Sequence, residues 1–194
     1  MKKITTEDLL DKPTYEKQRP AFRSAILEHK KNRRLLLGPN ASLHFEDFMT
    51  MKYQVQELIR VENLTRAEDI TEELEAYNPL IPDGANLKAT FMIEFPDEGE
   101  RRRELARLMG IEDQVCIAVQ GCDPIYPIAD EDLERETDEK TSAVHFLRFE
   151  FPADAIQAAK EGAPWTVRSE HTHYRHEVSP VPDPIRTSLV RDFD

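Results

Sequence analysis

The stretch LKATFMIEF, residues 87–95, decides the fold. Leu87, Ala89, Phe91, Ile93 and Phe95 fall on one side of an extended chain, and Lys88, Thr90 and Glu94 on the other, because side chains alternate across a strand. Downstream, DEGERRRELARLMG (97–110) places Leu105, Leu108 and Met109 at helical spacing with Gly110 as a stop, and QVCIAVQG (114–121) returns as a strand. The unit is strand, helix, strand. It has no glycine-rich loop at its first turn to cradle a phosphate, so mononucleotide binding gains no support.

Upstream of this unit, residues 13–34 read as a helix whose apolar stripe includes Tyr15, Phe22, Ile26 and His29, started or kinked by Pro20. RLLLGPNASLHFED (34–47) resembles two short strands around a Gly38-Pro39-Asn40 turn. Residues 50–64 form a second helix with Met51, Val55, Leu58 and Ile59 inward and Thr50 placed to cap it. Thr65 and Glu68 have capping-box spacing for a third, carrying Ile70, Leu74 and Tyr77 and ended by YNPLIPDG. Gln54, Glu57, Arg60 and Glu62 would line a pocket or join a salt-bridge network beneath the sheet, the network being the ordinary use of such a group.

Beyond the central unit, DPIYPIADEDLERETDE (123–139) carries eight acidic groups against one arginine and reads as a solvated, mobile connection. It lacks the alternating ligand spacing of a calcium loop. SAVHFLRFEF (142–151) is an interior strand with His145, Leu147, Phe149 and Phe151 on one face. A short helix to Gly162 follows, then a strand, PWTVRSEHTHYRHEV (164–178), and a last helix, DPIRTSLVRDF (183–193), with Asp183 as cap and Pro184 at its first position.

Composition excludes several classes. The longest apolar runs, such as RLLLG and VCIAVQG, fall far short of the roughly 20 residues that cross a bilayer, and the N-terminus has no apolar signal core, so a cytosolic location is expected. Cys116 and Cys122 are too few for a disulfide framework and wrongly spaced for a CxxC site. Residues 1–34 hold ten Lys/Arg against five Asp/Glu, a net +5, which leaves −17 on the rest of a chain whose total is −12. The basic maximum, HKKNRR (29–34), suits the last turn of a helix. Nucleic-acid contact through this helix is the sharper alternative, opposed by the acidic remainder.

SEHTHYRHE (169–177) holds three of the six histidines. On a helix they would point in three directions. On one continuous strand, His171 and His173 share the inward face with Trp165, Val167 and Ser169, while His176 and Tyr174 face away. If the strands at 142–151 and 164–174 are neighbours, His145, His171 and His173 converge at one end of the sheet. Three neutral imidazoles suit a first-row transition metal, zinc or iron. The competing reading is a strand whose histidines make ordinary polar and stacking contacts.

The segments YEKQRPAFRSAI, KKNRRLLLGP, YQVQELIRVE, AYNPLIP and EKTSAVHFLRFEF resemble a bacterial family of unknown function across nearly the whole chain. Its members are often encoded beside a rubrerythrin-like protein and an iron–sulfur oxidoreductase. The resemblance therefore implies a link to peroxide or redox metabolism, with those two proteins as partners. It assigns no catalytic residue. His171 and Tyr174 match a family His-x-x-Tyr pattern.

Together these readings predict one α+β domain over 1–194, with a mixed, mainly antiparallel sheet of about five or six strands flanked by helices. Three functions stand open. The first is a non-catalytic accessory or binding protein of a bacterial redox or peroxide-response system. The second is a metal-dependent enzyme or redox protein using His145, His171 and His173, and the third is nucleic-acid contact through the basic helix.

Overall fold

The structure, a computed structural model, describes residues 2–133, 135–137 and 139–194. In chain order its elements are α1 (Lys12–Lys31), β1 (Arg34–Leu36), β2 (Ala41–Phe45), α2 (Phe48–Glu62), α3 (Ala67–Tyr77), β3 (Asn86–Ile93), α4 (Glu98–Arg107), β4 (Val115–Val119), β5 (Ile128–Ala129), β6 (Val144–Glu150), α5 (Ala153–Lys160), β7 (Trp165–His171), β8 (Tyr174–Val178) and α6 (Asp183–Val190). The fold class is α+β, as the patterning predicts. Five strands form one sheet in the order β1-β2-β3-β6-β5 and three form a second, β4-β7-β8, with every pairing antiparallel.

β3 lies at the centre of the larger sheet and carries the alternation read from 87–95. Leu87, Ala89, Phe91 and Ile93 are buried, while Lys88, Thr90 and Met92 are half-buried on the opposite face. Its register sets Leu43, Phe91 and His145 in one row and Phe45, Ala89 and Leu147 in the next. These inward residues share a single apolar core with Val115, Ile117, Val119 and Val167 of the second sheet. Phe151, Trp165 and Phe193 close one end of that core, with ring centroids 4.8–6.3 Å apart. A second, smaller cluster joins Ile4, Met51, Val55, Ile59, Leu74 and Ile81 beneath α2 and α3. Burying a side chain of this size contributes about 1.5–3 kcal/mol, so the two clusters are what hold the layers.

The sheets are divided where a single one is expected. β6 and β7 follow each other through α5 but are not neighbours, because both sides of β6 are taken, by β3 and by β5. β7 pairs instead with β4 and β8. β3 likewise has both sides taken, by β2 and β6, so the strand, helix, strand unit of 87–121 spans both sheets.

β5 comes from the acidic segment read as a mobile connection. Ile125 exchanges two backbone hydrogen bonds with Ile117 of β4, at 2.8 and 2.9 Å, and Ile128–Ala129 pair with Arg148 and Leu147 of β6. Glu131 grips the Arg148 guanidinium with both oxygens at 2.7 Å, and Arg135 lies 4.6 Å over the Phe146 ring. Three apolar residues inside the acidic run therefore tie it to both sheets. Glu134 and Asp138 of that run lie outside the described residues.

The helix caps also differ from expectation. The α2 cap lies nearly a turn earlier than read: it is Asp47, whose side chain accepts from Thr50 N at 2.8 Å, and the Thr50 hydroxyl accepts from Asp47 N at 2.9 Å. Thr65 and Glu68 form no capping box, because α3 begins after Arg66. α6 follows Pro182, with Asp183 in its first turn. α1 runs through Pro20, and its last turn carries His29, Lys30 and Lys31, where cations complement the helix dipole. Among the described residues, no helix is long and apolar enough to cross a membrane.

Candidate functional site

The histidine-rich stretch is a hairpin, not one strand. β7 ends at His171, Thr172 and His173 make the turn, and β8 begins at Tyr174, which pairs with His171. The turn resets the alternation, so Tyr174 is buried and His173 exposed, the reverse of the expected order. Neither turn residue has a positive φ, and no Asn-Gly or Gly-X pair marks the position in the sequence.

Each histidine there has a local use. His171 accepts from His173 N through Nδ1 at 3.2 Å and donates to Met109 O through Nε2 at 3.2 Å. That pattern is the neutral ring, and burial lowers its pKa further from the ordinary value. Tyr174 packs against His176 with centroids 4.4 Å apart, and its hydroxyl donates to Leu37 O at 2.8 Å while accepting from Asn40 N at 2.9 Å. Tyr174 thus fastens the β1–β2 turn to the second sheet.

His145 lies in the larger sheet, apart from this hairpin, and is fully buried. Its Nδ1 is 2.6 Å from Asp130 Oδ2; its Nε2 is 3.0 Å from Thr141 Oγ1, 3.1 Å from Ser142 O and 3.7 Å from Glu112 Oε2. Three elements deliver these groups. Glu112 heads a short 3-10 turn entering β4, Asp130 follows β5 with φ 49°, and His145 sits opposite Phe91. Burial raises the Glu112 pKa, opposed by His145 and assisted by Glu136 and Asp113. Among the described residues, Glu112, Asp130 and His145 form the one group of three whose ligand atoms all lie within 4.8 Å of one another. His171 and His173, with ring centroids 5.8 Å apart, are not in it.

The opposite face of the same sheet borders a cleft. One part, about 260 Å³, is lined by Lys30, Arg34, His44, Glu46 and Thr90; an adjoining part of about 820 Å³ is lined by Glu46, Glu73, Lys88, Glu131 and Arg148. Tyr77, Leu80 and Phe146 belong to both. The cleft is basic at one end and predominantly acidic at the other. Three of its titratable groups are partly desolvated: burial lowers the pKa of His44 and Lys88 and raises that of Glu73. Lys88 donates to Pro79 O at 2.5 Å and Ile81 O at 3.0 Å, which pins the chain after α3 to the sheet.

Other polar candidates hold the scaffold. Glu57 takes two bonds from Arg19, at 2.7 and 2.8 Å, one from Tyr15 at 2.7 Å and one from Arg60 at 3.2 Å, the salt-bridge use expected of this group. Within HKKNRR, Arg33 is buried against Asp192, His29 meets Asp47 at 2.6 Å, and Arg34 meets Glu94 at 3.3 Å. Both cysteines are free; burial pushes the Cys116 thiol up, away from thiolate chemistry.

Of this three-residue group, in which Glu112 and His145 are buried and Asp130 half-buried, sequence reading singles out His145 alone. Asp130 sits in an acidic run that composition treats as uniform, and Glu112 in a turn with no periodicity. Their only signal is proximity to Ile111, Ile128 and Ala129, short apolar residues that anchor the chain on either side.

Fold and site define a class: an α+β protein of two antiparallel sheets, with a buried carboxylate–imidazole group where they meet and a charged cleft on the outer face of the larger one. Residues 3–193 match the family described as protein of unknown function (DUF3501), and the chain belongs to that family. It is similar to a crystal structure of a protein of unknown function from Burkholderia pseudomallei, at 43% identity, a TM-score of 0.94 and full coverage of both chains. No curated protein matches it.

Proposed function

We propose that the chain is a cytosolic binding protein without chemistry of its own, serving a bacterial redox or peroxide-response system. The cleft is the observation that carries this reading. Its larger part falls within the roughly 300–1,000 Å³ of ligand-sized sites, and it combines a few aromatic and aliphatic side chains with charged groups of both signs. Those charges brace its walls: Arg148 holds Glu131 and Glu150, Arg34 holds Glu94, and Lys88 holds two carbonyls. Such a surface is preformed, which lowers the ordering cost of binding. The partner, an iron–sulfur oxidoreductase or a rubrerythrin-like protein, is supported by the gene association that the family resemblance implies.

Co-elution of the untagged chain with each of these proteins from the same bacterium tests the reading. The complex is expected at low salt and is expected to weaken on Phe146→Ala and Lys88→Met. No complex with either protein at low salt, or a complex indifferent to both substitutions, refutes it.

A further inference from the structure

We propose that Glu112, Asp130 and His145 form a binding site for one divalent transition-metal ion. The inference stands on the buried group itself and does not depend on the cleft. Three donors from separate segments converge there, with all ligand atoms within 4.8 Å of one another. Metal–ligand bonds of roughly 2.0–2.2 Å place neighbouring ligands about 3–3.5 Å apart, so the widest pair closes by up to about 1.3–1.8 Å, and Glu112, now nearest Nε2, swings toward the Nδ1 side that Asp130 holds.

Arg135 already engages Asp130 and is itself held by Asp132. A divalent ion with two carboxylates and a neutral imidazole is balanced within its own ligand set, and burying uncompensated charge is costly. On uptake, the proton held between His145 Nδ1 and Asp130 passes to the buffer and the ion takes its place; nothing is oxidised or reduced.

The surrounding groups would hold the ligands in place. Thr141 Oγ1 reaches His145 Nε2 at 3.0 Å and Glu112 Oε2 at 3.3 Å, while Asp130 Oδ1 accepts from Phe146 N at 2.9 Å and Arg135 at 3.2 Å. Outer partners of this kind orient metal ligands. One nitrogen and two carboxylate oxygens suit Zn²⁺, Mn²⁺ or Fe²⁺ better than a thiolate-seeking ion.

The experiment uses full-length, untagged protein stripped with chelator and titrated with Zn²⁺, read by calorimetry, and with Co²⁺, read by its visible absorption. One equivalent is expected, with a rise in melting temperature, since an ion that binds only the folded state stabilises it. Glu112→Gln keeps the side-chain shape and is expected to weaken Zn²⁺ affinity by at least about tenfold, while His173→Gln leaves it unchanged. His145→Ala removes the nitrogen ligand, but Glu112→Gln keeps the test decisive if that variant does not fold. Wild-type protein that takes up no Zn²⁺ overturns the proposal. So does uptake that Glu112→Gln leaves unchanged, which assigns the ion to surface carboxylates, or uptake lost on His173→Gln.

Discussion

Replacing Gly38 by alanine tests how the two sheets are fastened. Gly38 has φ 76°, and a Cβ there would meet His176 Cγ at 2.5 Å and Cδ2 at 2.6 Å. A left-handed backbone costs an L-residue roughly 1–2 kcal/mol. The overlap adds about 1–3 kcal/mol, typical of overpacking, because the half-buried ring must leave its place on Tyr174 to make room. His176 rests on Tyr174, whose hydroxyl is held by Leu37 O and Asn40 N. Gly38→Ala should therefore destabilise by about 2–5 kcal/mol in urea unfolding. In a His176→Ala background only the backbone part should remain, about 1–2 kcal/mol. The difference between the two backgrounds is the coupling energy of the contact. Equal costs in both would refute the steric reasoning, and a cost near zero in both would refute the turn geometry as well.

Tyr174→Phe keeps the ring and removes the hydroxyl that serves Leu37 O and Asn40 N, so it should cost about 1–3 kcal/mol in the same assay. Asp192 gives a pH dependence. Burial pushes its pKa up to about 6, against the opposing pull of Arg33, with Asp47 and His29 the other charged groups facing it. A carboxyl with a raised pKa binds its proton more readily in the folded state. Its contribution is therefore full below about pH 4 and lost as pH rises through about 6, by roughly 2–3 kcal/mol. Unfolding free energies measured from pH 4 to 7 should show this fall, flattened in Asp192→Asn; a slope unchanged in the variant refutes it.

Elements whose period repeats within themselves were legible in the sequence. The alternation of 87–95 and 142–151 reappears residue for residue in β3 and β6, and the stripe of Tyr15 and Ile26 in α1, because each is set by local geometry. What was not legible depends on which strand reaches an edge first. Ile128 and Ala129 are too few to make a pattern, yet they occupy the side of β6 that β7 would otherwise take, and so divide one sheet into two. The candidate site failed to show itself for the same reason: it rests on where Asp130 is carried, not on its neighbours in sequence. The turn at Thr172 and His173 was hidden differently, since a two-residue loop without glycine or asparagine leaves no mark on an alternating run.

β5 has a further consequence, for how this protein keeps to itself. β6 alternates large apolar side chains along seven residues, and left unpaired it would offer a free row of amides and carbonyls to any passing strand. Two residues of β5, continued by the bond from Asp130 N to Phe146 O, occupy part of that row. Glu131 and Asp132 follow directly, ion-paired with Arg148 and Arg135, so charged side chains already engaged continue along that edge. The acidic segment thus leaves less of the β6 edge open to pairing with another chain.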